Sequence, residues 1–542
     1  MIILVVLKII SQTSSKRYCY YLFLNTQLNL KHKKLEKMEL KRITRLICLA
    51  IVFLVGLSSS SIKANNLNIG TPTVVGGDLQ FTISWDNSWN TDITPGNWDG
   101  VWVFIKRQGC LDNFWTHALV STVSGDHLIT GGVLQVDAVP DGMGVFIRRS
   151  AIGNGNIPTA TVLIALQTAA NLSDNFQVAG IEMVYVPEGD FLIGDNSNGF
   201  GQGSGSNAWG FKNVLITNAI QTAGIGATLN YKNNATHGST APLPSTYPLG
   251  WNSFYSMKYE ISQEQYVAFL NSLTYTQQIA RTNVSPASAA GTYANANAAT
   301  PVRNGIKIRT SGVAATSPAV YGCDLNNNGV FNEAADGQNI ACGWISWSDL
   351  MAYLDWAALR PMTEFEYEKI CRGSSPSSLP NEYAWNAVSI TQATANSINN
   401  AGQASETATA AGNGLCNFNG GPNAGPLRCG FAAGAATNKA QAGGAWFGAM
   451  EMSGNVWEQC VGGQFFNYSG FTSACGDGTL ATSGWANTPN WPGSGGGQGG
   501  GVIRGGSYAE AGQFQRISDC AGMNNNSNQN RNNPNVGGRG VR

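Results

Sequence analysis

Two stretches decide how this chain folds: Gly448–Gln459, GAMEMSGNVWEQ, and Arg504–Tyr508, RGGSY. The second reads as a strand entered from a glycine run, Gly493–Gly501. They sit in a chain of 542 residues, room for about two to four domains. Formal net charge is zero and charged residues make up 12%, against roughly 25% in an average soluble domain. No basic footprint marks the chain for nucleic acid, and none is expected as a partner. Glycine is abundant (66) and aromatics reach 10%. That suits a loop-rich, mostly β or irregular fold with aromatic anchors. A hydrophobic content of 43% is ample for sizeable cores and argues against general disorder.

Near the N-terminus, Lys41, Arg42 and Arg45 precede an apolar run, Leu46–Leu57, followed by Ser58–Ser61 and Ala64. This is the order of a secretory signal peptide. The run has 12 residues, short for a membrane span. Met38 is the expected start, residues 38–64 the signal, and residues 1–37 an over-long extension. The mature protein is expected to be secreted or at the cell surface, with no membrane span. A retained membrane anchor is the alternative. Cys48 lies inside the apolar run rather than after it, so a lipoprotein anchor is not expected.

Export permits disulfides. Nine cysteines follow Ala64: Cys110, Cys323, Cys342, Cys371, Cys416, Cys429, Cys460, Cys475 and Cys520. No CxxC pair occurs, and only His117, His127 and His237 follow the signal, so zinc is not expected. The odd count leaves one thiol over, and Cys110 is isolated in sequence.

Residues 65–178 read as a small all-β, sandwich-like domain. Leu79, Phe81, Ile83 and Trp85 alternate with polar or small residues, the period of a half-buried strand. Val101–Lys106, Val145–Arg149 and Thr161–Gln167 are further strands between Gly, Asp, Asn and Pro turns. Trp85–Trp89 (WDNSW) and Trp102 are either a binding surface or core packing. A second domain, residues 180–542, opens with two strands around the Pro-Glu-Gly-Asp turn within Ile181–Asp195, followed by long surface loops to about Gly250. Trp251–Thr274 is a strand and then a helix, with Ser262 and Gln265 as its capping box. Tyr266, Phe269, Leu270 and Leu273 form that helix's buried face. Residues Asn283–Ala319 read as loop. Asp324, Asn326, Asn328 and Gly329 match the opening of a calcium loop. Position 335 is Ala where the bidentate acid belongs, with Glu333 and Asp336 as substitutes. The other reading is a polar turn held by a Cys323–Cys342 disulfide. Ile345–Arg360 is an amphipathic helix with Leu350, Tyr353, Leu354 and Ala357 on one face; Thr363 and Glu366 cap the next.

Several motifs agree in order: MVYVPEGDFLIG, YEISQEQYVAFL, ISWSDLMAYLDWAALRPMTEFEYEKICRG, GAMEMSGNVWEQ, VIRGGSY and GGRGVR. Together, over about residues 180–542, they resemble the formylglycine-generating enzyme family, the sulfatase-modifying factor domain. The resemblance implies an α+β, loop-rich, C-type-lectin-like fold behind the β-domain. Enzymes of that family convert a sulfatase cysteine to formylglycine with copper held by two thiolates after the GGS strand. Cu(I) is a soft ion that wants soft sulfur. Aligned on Ser507, those two positions are Glu510 and Gln515. Trp457 and Ser507 match other active-site positions. No copper is expected, and the site is read as degenerate.

The resemblance further implies a Cys371–Cys520 disulfide, which leaves Cys416–Cys429 and Cys460–Cys475 as economical pairs and Cys110 over. It implies structural calcium at Glu451, Gly454, Val456 and Glu458, with Glu451 acting through its carbonyl. A second calcium position falls on Asn396 and Ser397, with Glu406 and Ala408 behind them. The alternative for Glu458 is an ion pair with an arginine such as Arg504. The expected function is a secreted or cell-surface non-catalytic scaffold or binding protein whose partner is a glycan, a protein or further copies of itself. The alternative is an oxidoreductase, either a copper-independent formylglycine-type oxidase or an iron-dependent oxygenase. Mononuclear iron wants two histidines and a carboxylate, and His117, His127 and His237 do not cluster in sequence.

Overall fold

The run Val101–Lys106 is apolar without alternation because its strand, Asp99–Gln108, is buried on both faces. One face carries Val101, Val103 and Ile105. These pack on Leu79, Phe81, Ile83 and Trp85 of the Asp78–Asn90 strand and on Val162 and Ile164 of the Gly153–Ile164 strand. The other face carries Trp102 and Phe104, which join the main core with Tyr353, Trp356 and Ala357. The computed structural model describes residues 66–110, 114–195, 213–225, 242–314, 316–374, 378–393, 398–410, 412–420, 425–434, 438–462, 470–493, 501–519 and 531–542. The expected signal peptide, residues 38–64, lies outside them.

Two antiparallel sheets face each other across the first core. One has five strands. The other has eight, in the order Arg360–Pro361, Gly540–Val541, Phe254–Met257, Asn175–Val186, Asp99–Gln108, Val145–Arg149 and Leu134–Ala138, with Thr116–Ala118 off the path. The Asn175–Val186 strand organises this second sheet. It pairs with Asp99–Gln108 from Asn175 to Val184 and with Phe254–Met257 from Met183 to Val186. The expected boundary at 178/180 therefore falls inside a strand, and the β-region and the following domain share one sheet.

Side chains bind the two regions as well. Trp102 Nε1 donates to Ala357 O at 2.9 Å. Lys258 Nζ lies 3.3 Å from Asp99 and 3.2 Å from Glu182, all three buried. The C-terminal Arg542 reaches back to Asp141 at 2.6 Å. Trp85 and Trp102 are core residues, and the Trp89 ring packs under Lys258 at 4.9 Å. Packing, rather than a binding surface, is the role of this tryptophan group.

The helices follow their caps. Gln263–Asn271 carries the Ser262/Gln265 capping box, and Glu364–Arg372 the Thr363/Glu366 box. The helix expected over Ile345–Arg360 spans Trp347–Trp356; beyond it Ala358 adopts φ 53° and turns the chain into the Arg360–Pro361 strand. Tyr275–Arg281 is a further helix, capped by Thr274 and Gln277 in the same S/T-x-x-E/Q pattern.

Cys323, Cys342, Cys371, Cys416, Cys429, Cys460 and Cys475 are all thiols. The pairs Cys323–Cys342, Cys416–Cys429 and Cys460–Cys475 are not formed. The sulfurs are engaged with main-chain carbonyls instead: Cys416 Sγ donates to Ser453 O at 3.0 Å, and Cys429 Sγ to Glu260 O at 3.4 Å. Cys371 is buried beside Tyr367, and Cys520 lies outside the described residues.

Candidate functional site

The two opening stretches meet in one small sheet. Trp457–Cys460 pairs antiparallel with Val502–Arg504 and parallel with Val536–Gly537. Gly505 and Gly506 then turn the chain at φ 86° and 70°, a region that favours glycine. A Cβ on Gly506 would overlap the Gln515 side chain, so the double glycine is what lets Gln515 pack against the turn.

Ser507 leaves this turn fully buried. Its hydroxyl donates to Glu510 Oε2 and accepts from Ala509 N at 3.1 Å. Glu510 Oε1 accepts from Asn535 Nδ2 at 2.9 Å, while Asn535 O accepts from Trp457 N at 2.8 Å. Gln515 Nε2 donates to Ser507 O at 3.2 Å and Glu510 O at 3.3 Å. Phe514 meets Trp457 edge-on, with centroids 6.3 Å apart. Trp457, Ser507, Glu510 and Gln515 therefore converge as expected, but into a closed hydrogen-bonded knot. Its donors are a carboxylate, an amide and a hydroxyl. These are hard or neutral oxygens that do not fit Cu(I), which needs thiolate.

The turn before the sheet is a buried charge cluster. Arg539 grips Glu458 in a fork, Nε to Oε2 at 2.8 Å and Nη2 to Oε1 at 2.6 Å. The alternative reading of Glu458, an ion pair with an arginine, is thus met by Arg539; Arg504, the example given for it, pairs with Glu368, which also takes Arg372 at 2.8 Å. Glu451 adopts φ 54°. Its Oε1 accepts from Gly430 N at 3.0 Å, and its Oε2 is buried without a partner. Burial raises its carboxyl to about 7, with the Gly430 hydrogen bond and then Arg539 opposing. Glu260 accepts from Asn455 Nδ2 at 2.5 Å and Val456 N at 2.9 Å. Burial, with Glu451 beside it, pushes the Glu260 carboxyl well up. Glu260 was not among the expected site residues. The signal lay in YEIS, a carboxylate between two residues, Tyr259 and Ile261, that are themselves buried.

The remaining candidates separate. In the Asp324 turn, Lys307 Nζ lies 2.8 Å from Asp324 Oδ2 and donates to Asn327 Oδ1 at 2.5 Å. Asn328 N is held by Asp324 Oδ1 at 3.1 Å and Asn326 Oδ1 at 2.9 Å, and Asn328 Nδ2 donates to Glu333 at 2.5 Å. Glu406 faces Arg303, Ala408 lies in a two-residue strand, and Asn396 and Ser397 fall outside the described residues. His117 is engaged by Met143 O at 2.7 Å and Lys106 Nζ at 3.1 Å, and His127 by Ser121 O at 3.0 Å and Ala165 N at 3.2 Å. His237 lies outside the described residues. The two described histidines sit in separate networks and offer no joint iron site. Among the described residues, no group of three or more His, Cys, Asp or Glu is disposed to hold a metal ion.

The strand, the double-glycine turn and the Glu458–Arg539 fork all lie within the motifs that carry the resemblance. Residues 169–542 match the sulfatase-modifying factor enzyme 1-like domain, and the chain belongs to that family. The match takes in the whole Asn175–Val186 strand. No curated protein matches the chain.

Proposed function

We propose that this is an exported, non-catalytic binding or scaffold protein built on a sulfatase-modifying-factor domain of C-type-lectin-like fold. The observation that carries the reading is the Ser507–Glu510–Asn535 knot. The positions that would hold copper are filled by Glu510 and Gln515, and both are engaged in fastening the turn. No thiolate is on offer there, and Ser507 is buried, so the site serves to hold the loops in place. The N-terminal segment 38–64 is taken as an export signal, and the loop surface as the part that meets a glycan, a protein or another copy of the chain. Among the described residues, no helix is long and apolar enough to cross a membrane. Of the two family calcium positions, we keep calcium only at the Glu451–Glu458 turn. Arg539 occupies both Glu458 oxygens there, so the unpartnered Glu451 Oε2, in place of the expected Glu451 carbonyl and Glu458 carboxylate, is the oxygen that supports the reading.

Titration with Cu(I) against a competing chelator tests the reading. The wild-type protein is expected not to bind, and the double variant Glu510→Cys/Gln515→Cys to gain affinity. Tight one-to-one copper binding by the wild type would contradict it.

A further inference from the structure

We propose that the Arg303 guanidinium is a built-in counter-ion that holds, at Glu406, the place of the family's second calcium ion. Glu406 is fully buried. Its two oxygens accept four N–H donors: Arg303 Nη1 at 3.2 Å, Arg303 Nη2 at 2.5 Å, Gly402 N at 2.6 Å and Arg428 N at 2.8 Å. An ionised carboxylate offers about four lone-pair sites, so no oxygen is left for a metal. Arg303 Nη1 also donates to Pro426 O at 2.6 Å, taking up a carbonyl of the kind that completes a calcium shell.

The arginine is placed rather than merely nearby. Val302 and Arg303 both adopt positive φ, 51° and 57°. For a β-branched residue such as Val302 this is a strained conformation that persists only where its surroundings enforce it. Gln263 Nε2, on a buried helix turn, donates to Arg303 O at 2.7 Å and fixes the bend. The arginine stem passes Gly425, where a Cβ would lie 3.0 Å from Arg303 Cγ. Arg428 Nε clasps the Glu406 carbonyl at 2.6 Å from the other side. One guanidinium thus ties the 301–304 turn, the 402–408 loop and the 425–428 loop at a single point. A divalent ion would do the same job, but reversibly. Order in these loops is then independent of calcium in the medium, and independent of whether the Ser507 site turns anything over.

Calcium stoichiometry, measured by equilibrium dialysis on the full chain, tests this. The wild-type protein is expected to bind no more than one calcium per chain, and Glu406→Gln to bind the same number. Arg303→Met is expected to lose roughly 5–10 °C in Tm, to gain one calcium per chain and to recover stability when calcium is added. Two or more calcium ions on the wild type would overturn the proposal. So would a fall by one in Glu406→Gln, or an Arg303→Met variant that binds no additional calcium.

Discussion

Arg539 and Glu458 meet as a fork with neither side chain in contact with water, and Arg539 also donates to the carbonyls of Met257, Lys258 and Met450. A buried pair is weak evidence of net stability, but removing one partner strands the other. Arg539→Met is therefore expected to cost about 3–5 kcal/mol in urea denaturation, and a loss under about 1 kcal/mol would contradict the assignment. Lys369 is a second residue-scale test. Burial brings its ammonium down to about 7 from the ordinary 10.5, partly offset by Glu366 and Glu188. Between those values the folded state binds fewer protons than the unfolded one, so its contribution to stability rises with pH, by at most about 1.4 kcal/mol per unit. Below about 7 the full desolvation penalty remains. The stability difference between wild type and Lys369→Met should move in favour of wild type between pH 7 and 9. A difference that does not change over that range would contradict the account.

At the scale of elements, local chemistry in the sequence was a good guide. The alternation at Leu79–Trp85 reads directly as a half-buried strand, and Ser262/Gln265 and Thr363/Glu366 as helix starts. Thr274–Gln277 carries the same signal for the Tyr275–Arg281 helix, although the stretch lies just past a helix already assigned. Thr274→Ala is expected to destabilise by about 1 kcal/mol, read as a shift in the denaturation midpoint. Gly506→Ala belongs to the same scale. It places a methyl group on Gln515 and forces a side chain into φ 70°, so a loss of about 1–3 kcal/mol is expected. Unaltered stability would mean that the turn is not packed as described. Less legible were the partners of charged side chains. Arg303 stands in a stretch read as loop, 103 residues before Glu406, and no periodicity links two such positions. Likewise Glu458 and Arg504 are register partners, yet Arg539 is the cation that Glu458 receives.

Across the whole molecule, the sequence separated what the fold joins. Residues 65–178 have the strands and turns of an independent β-domain, and the motif resemblance begins after them. The Asn175–Val186 strand carries hydrogen bonds to both regions along its length, and chain order alone does not say which strands become neighbours. The buried Lys258 is shared between Asp99 of one region and Glu182 of the joining strand. A single cooperative unfolding transition is therefore expected, with tryptophan fluorescence and far-ultraviolet circular dichroism coincident in urea. Two separated transitions would show independent domains. Removing residues 66–174 is expected to prevent folding, since it exposes a long strand edge and leaves Lys258 with Glu182 as its sole remaining carboxylate partner of the two.

The turn after Arg504–Tyr508 keeps the family's motif spacing, and the proposed reading gives its side chains a structural role instead of copper chemistry. Mass spectrometry of a sulfatase-motif cysteine peptide, incubated with the protein, copper and oxygen, tests it most directly. The peptide mass is expected to stay that of the cysteine form. Conversion of that cysteine to the aldehyde by the wild-type protein would contradict it.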